Sequence, residues 1–257
     1  MDTVCQTYLN APELAATTTG IHTVCVDEMT SIQALERIQK TIPMQPGQSE
    51  RIEFEYQRHG TTCLICNWDV VAGQVISPTL GPTRTEGDFC WHVHNTVDTD
   101  PDAGWVFVVD NLNTHNSEAL VRYVALLEGI PRSELGKKGH SGILKSMATR
   151  REFLSCLEHR ARFKYLPKHS SWLNQIESIF GIINRKALRR ASFTSVAELQ
   201  SRILKFIDYL NRTMAKPFHW TYTGQPVVSK SDARPRTRKE QWTDRRRLQK
   251  THLGSHL

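Results

Sequence analysis

The chain has no apolar run of the roughly 18 residues that a membrane-spanning helix needs, so no transmembrane helix is expected. Its first residues, Met1 to Leu14, lack a charged stretch followed by an apolar one, which excludes a secretory signal at that point. Cysteine is sparse: Cys5, Cys25, Cys63, Cys66, Cys90 and Cys156 are scattered without a disulfide framework. With no export signal, these read as reduced thiols of a cytoplasmic protein. Cys63 and Cys66 have the spacing of a zinc pair. A second pair is missing, however, and positions three apart in a strand face opposite ways, so zinc is not expected. No internal repeat is visible.

What is present is a globular composition with an uneven charge. The 257 residues are 39% hydrophobic, enough to bury a core. The net charge is +7. Residues 230–257 carry nine Lys/Arg against three acids, and residues 132–168 carry ten against three. The rest of the chain is mildly acidic. Two basic segments on an acidic body suggest a polyanionic partner, although either segment alone could be a solvated loop or tail. Lys137, Lys138, Lys168, Arg185, Arg245, Arg246 and Arg247 are the candidate contacts to that partner.

Hydrophobic patterning predicts a mixed α/β domain over residues 21–225. Residues 1–20 read as a linker or truncated start, and residues 226–257 as a basic tail disordered on its own. Strands are expected at 21–28, 51–57 (an edge), 61–71, 73–80, 105–109 and 163–166, with a hairpin near Ala72-Gly73. Met29 to Lys40 reads as an irregular turn with some helix. Helices are expected at 86–97, with Phe89, Trp91 and Val93 partly inward, at 117–128 capped by Ser117, at 150–159, from about 172 to 190, and at 195–211. Residues 131–149, with three glycines and many charges, look like an inserted basic loop, the insertion as a whole spanning about 131–160.

Three carboxylates stand out. Asp27 and Asp110 each end a predicted strand, and chemistry in open α/β sheets collects where strands end. Glu177 lies early in the helix after Trp172, beside the apolar stripe Leu173, Ile176, Phe180, Ile183 and on a polar one with Asn174, Gly181 and Asn184. On its own Glu177 reads as an acid favoured in a helix's first turn. Three acids without dedicated basic partners would repel one another unless a hard divalent cation joined them. Two such ions a few ångströms apart suit phosphoryl transfer.

The motifs Val26-Asp27-Glu28, Val109-Asp110-Asn111 with Thr114-His115, and Pro167-Lys168-His169 through Trp172, Asn174 and Glu177 resemble those of the DDE transposases of bacterial insertion sequences. These form the mariner-like branch of the retroviral-integrase, or RNase H-like, superfamily. The resemblance covers about residues 20–225. It implies an RNase H-like mixed sheet flanked by helices, two Mg²⁺ or Mn²⁺ ions held by Asp27, Asp110 and Glu177, and end cleavage followed by strand transfer. It also implies double-stranded DNA as partner, a homodimer or higher assembly on that DNA, and a nucleoid-associated place in a bacterial cytoplasm.

Around the trio, Asn111 and His115 could position phosphate or metal-bound water, or be a polar helix cap and a surface histidine. Asn174, one turn before Glu177, is the better supporting position. Trp172 reads as a packing anchor. Glu28 points to the opposite face of its strand from Asp27 and is excluded. The spacing from Asp110 to Glu177 is longer than in familiar mariner-like members, and the excess matches the basic insertion. Relatives usually carry a helix-turn-helix region before the first Asp. Here 26 residues precede Asp27, so the expectation is either a fragment or a DNA-binding part encoded in another frame or chain. The alternatives are a catalytically silent, truncated relic that binds DNA or a partner, and a host nuclease using the same fold.

Overall fold

The computed structural model describes residues 2–39, 42–51 and 53–223. All lie in the compact unit Met1–Gly224. Residues 224–257 fall outside the described residues, and with them Arg245, Arg246, Arg247 and the basic tail.

Five strands form one sheet: β1 (Ile21–Arg37), β2 (Tyr56–Asp69), β3 (Gln74–Gly81), β4 (Gly104–Val109) and β5 (Ala161–Tyr165). Their order is β3-β2-β1-β4-β5. β2 runs antiparallel to β1 and β3, whereas β4 and β5 run parallel to β1. An antiparallel meander continued by parallel strands behind helical crossovers is the RNase H-like arrangement, as expected. The run Trp105 to Val109 is covered on both faces. Val108 packs into one core layer and Phe107 and Val109 into the other.

The helices divide between the faces. α1 (Asp2–Ala15), α5 (Ile176–Ile183) and α6 (Val196–Thr213) contribute buried residues to one layer. α2 (Glu86–Val97), α3 (Glu118–Leu127) and α4 (Met147–Leu154) contribute to the other. Ser117 caps α3 by accepting from the Leu120 N–H, as its position suggests.

Several elements differ from expectation. Residues 2–15 are a helix, not a linker, because Val4, Tyr8 and Ala11 form a short apolar stripe at helical spacing, buried against the sheet. β1 does not stop after Asp27. It runs on to Arg37 opposite β2, and its pairing slips between Met29 and Ile32 and again between Gln33 and Leu35. These irregularities, with Ser31 at φ 54°, break the alternation that marks a strand in sequence. Among the described residues of 51–57 there is no separate edge strand; β2 begins at Tyr56. In α2 Phe89 and Val93 are buried, but Trp91 is 57% exposed, since a residue two positions on points to the far side of a helix. The 131–149 segment is more than a loop. Leu135 and Leu144 are fully buried in the core, and short 3₁₀ turns carry them there. The helix from Ile176 passes into a π-helical turn over Asn184–Leu188.

Candidate active site

The sheet register brings the first two carboxylates together. Cys25 pairs with Val108 in the parallel ladder, so two residues further on Asp27 stands beside Asp110. Adjacent strands lie about 4.8 Å apart. Cys25 and Val108 both belong to the layer under α1, α5 and α6. The side-chain period of two puts Asp27 and Asp110 toward that same layer, from which α5 brings Glu177. Asp27 is interior to β1 rather than at its end, but it lies where β4 leaves off and the sheet opens.

The start of α5 is tied down by three contacts. The Asn174 amide donates to the Val26 carbonyl at 2.9 Å and to Oδ2 of Asp27 at 3.3 Å. Tyr8, on α1, donates its hydroxyl to the Leu173 carbonyl at 2.9 Å. Leu173, Ile176 and Ile183 are fully buried, each worth about 1.5–3 kcal/mol of apolar burial. Asn174 itself is 1% exposed, whereas Glu177 is exposed one turn later. Glu177 is thus a solvent-facing acid on a rigidly docked helix. A Cβ at Gly181 on the same helix would stand 3.1 Å from the guanidinium of Arg185, an exposed and flexible side chain that can move aside. Trp172 is no packing anchor; it is 57% exposed and meets only the edge of Tyr222 among aromatic rings of the described residues.

The electrostatics mark the carboxylates as a set. Burial pushes Asp27 up to about 7; the Glu28 N–H bond opposes this, and the negative charges of Asp110, Glu28 and Glu177 add to it. Asp110 goes the other way. Burial would raise it, but a bond from His115, the Leu112 N–H and the positive charge of Arg84 hold it below the usual range. Arg84, exposed in the loop after β3, carries no sequence signal that singles it out.

His115 and Asn111 take up structural partners. His115 is fully buried, with Nδ1 2.8 Å from Asp110 Oδ1 and Nε2 3.1 Å from Glu28 Oε1. Burial alone would depress its pKa, but the two carboxylates raise it to about 9. It is neither a surface histidine nor free to touch substrate, since both ring nitrogens are engaged. Asn111 donates to the Leu166 carbonyl at 2.6 Å, joining the ends of β4 and β5. Glu28 does face away from Asp27, yet it reaches Asp110 through His115. Sequence reasoning missed it because the link runs between layers, and only the histidine that follows the adjacent strand β4 makes it visible.

Among the described residues no three His, Cys, Asp or Glu side chains stand together closely enough to hold an ion alone. The basic candidates among the described residues are exposed. Lys138 lies 3.8 Å from Glu118 and 4.0 Å from Glu86, which neutralise part of its charge. Lys137, Lys168 and Arg185 are exposed on the surface.

A family model described as DDE superfamily endonuclease matches residues 22–200. No curated protein matches the chain. Similar solved structures include the Mos1 transposase paired-end complex with left transposon end, at 16% identity and TM-score 0.45, covering 85% of this chain and 55% of that one. A pre-cleavage Mos1 transpososome gives 16% and 0.44, covering 85% and 62%. The mariner Mos1 paired-end complex with Mg gives 17% and 0.29, again covering 85% and 62%. The chain therefore spans between 55% and 62% of the length of these solved chains.

Proposed function

This chain belongs to the DDE superfamily endonucleases, and from that premise we propose that it is the catalytic core of a mariner-like transposase, cutting DNA at the ends of an insertion sequence and joining them to a target. Residues 21–225 are the catalytic domain in this reading, with Asp27, Asp110 and Glu177 as its acids. The observation that carries it is the register of β1 on β4, which continued past Cys25 and Val108 sets Asp27 beside Asp110, with the charges of Asp110 and Glu177 both acting on Asp27.

The donor set fits Mg²⁺ or Mn²⁺. Hard carboxylate oxygens suit both, and Asp27 stands among negative charges that raise its pKa. Asp110 takes both its protein bonds on Oδ1, from Leu112 N–H at 2.8 Å and His115 at 2.8 Å. Its Oδ2 is without a hydrogen bond among the described residues. Mg²⁺ usually keeps waters and takes one or two carboxylates plus substrate phosphates. When bound, such ions would activate the attacking hydroxyl and stabilise the leaving oxygen. Asn174 then holds Asp27 in place, and the docked α5 carries Glu177 to the rim where a DNA phosphate completes the set. The exposed cations Lys137, Lys138, Lys168 and Arg185 supply non-specific phosphate contacts.

Purified protein, supercoiled plasmid and Mn²⁺ test this directly. We expect nicking that needs the metal and drops to background in Asp110→Asn. Binding without nicking in the wild type would instead favour a silent DNA-binding relic. Nicking undiminished in Asp110→Asn would reject the assignment of the acids.

A further inference from the structure

Glu28 is a buried acid that the proposed chemistry does not use directly. Its side chain is 1% exposed and its only ion-pair partner among the described residues is His115, itself 0% exposed. A buried carboxylate is costly unless paired, and a pair placed only for stability is served as well by apolar residues. Here the pair leads somewhere. The other ring nitrogen of His115 stands 2.8 Å from Oδ1 of Asp110, whose side chain is 39% exposed. The line of contacts begins in the layer under α2 and α3 and ends at the open edge of the sheet.

Each member is held from several sides. The ring of His115 lies 4.2 Å, centre to centre, from that of Phe89. Its backbone carbonyl accepts the Tyr165 hydroxyl at 2.8 Å, which fixes the 3₁₀ turn Asn113–Asn116 against β5. Glu28 is the partner of Nε2, at 3.1 Å, while Nδ1 faces Oδ1 of Asp110 at 2.8 Å and its backbone carbonyl at 3.4 Å. With Nδ1 held on Asp110, both donors to its side chain fall on Oδ1, and Oδ2 is left without a protein donor among the described residues.

We infer that Glu28 is a positioning residue for the reaction: through His115 it fixes the Asp110 carboxylate so that one oxygen is spent on the protein and the other is presented to metal and phosphate. This rests on the reading of Asp110 as a metal-binding acid. It enlarges the functional set from three carboxylates to four, the fourth acting from the opposite face of the sheet.

The test titrates the full chain with Mn²⁺, following free ion by electron paramagnetic resonance, beside plasmid nicking and metal-free melting. Glu28→Gln keeps an acceptor for the ring and should bind Mn²⁺ within about threefold of wild type. Glu28→Leu should bind about tenfold or more weakly, the usual effect of losing an outer partner of a metal ligand. Because Glu28→Leu strands a buried imidazole, the double variant Glu28→Leu/His115→Phe replaces both polar groups by apolar ones and restores packing. It should melt like wild type yet bind Mn²⁺ as weakly as Glu28→Leu, with a lowered maximal nicking rate. A double variant that folds and binds Mn²⁺ like wild type overturns this inference and leaves the assigned function standing. A wild type that neither binds Mn²⁺ nor nicks removes the assigned function, and this inference with it.

Discussion

Asp27 shows how one residue's surroundings set a measurable balance. Burial, together with three neighbouring negative charges, raises its folded-state pKa from 3.8 to about 7. A carboxyl whose pKa rises on folding stabilises the protein while protonated. That contribution is complete below the unfolded value near 4 and is lost as pH climbs through about 7. Wild type should therefore lose stability relative to Asp27→Asn between pH 4 and pH 8, by at most about 4 kcal/mol and less where the neighbouring acids relax. Urea unfolding at the two pH values measures it, and equal differences at both would contradict the assigned environment. Added Mn²⁺ should restore wild type selectively at the higher pH, because the ion replaces the lost proton. Asn174 belongs to the same balance. Its amide is shared between Asp27 and the Val26 carbonyl, so the residue that holds the acid also holds the helix that brings Glu177.

Elements place what single residues cannot. The hairpin between β2 and β3 turns at Gly73, which has φ +65°. A Cβ there would come within 2.2 Å of the backbone at Lys216 and Pro217. That contact closes the segment after α6 over the hairpin, beside Trp68, whose ring lies 5.3 Å from that of Phe218. Gly73→Ala should cost about 2–4 kcal/mol, from left-handed strain plus overpacking. Chemical denaturation measures the loss; a variant as stable as wild type would show that the chain after α6 does not sit on the turn. α1 works at the same scale from the other end. Its Tyr8 reaches the Leu173 carbonyl, so an amino-terminal helix helps to fix the entrance of α5.

At the scale of the whole molecule the question is how a chain of charge +7 would meet DNA in the proposed function. Residues 230–257 carry nine Lys/Arg, and each cation that neutralises a phosphate releases counterions. Removing residues 230–257 should reduce the slope of log affinity against log salt by several units, while Mn²⁺ binding stays unchanged. An unchanged slope would place DNA binding elsewhere on the chain. Much of this protein is legible in its residues in order. Apolar and β-branched runs mark all five strands, β1 only over its first half, and period-3.6 patterns mark most helices, because burial leaves a trace in the order of the residues. The three acids show through their motifs, each beside an apolar run that anchors it. Other features carry no such trace. The helix 2–15 has too narrow a stripe, and the irregular second half of β1 breaks its own alternation. The link from Glu28 through His115 to Asp110 joins residues 87 apart at one end and neighbouring elements at the other. Such a link depends on which side chains two layers of the fold bring into contact. Local patterning therefore determined the elements and the candidate acids, and the packing of β1 against β4 alone decided that Glu28 supports them.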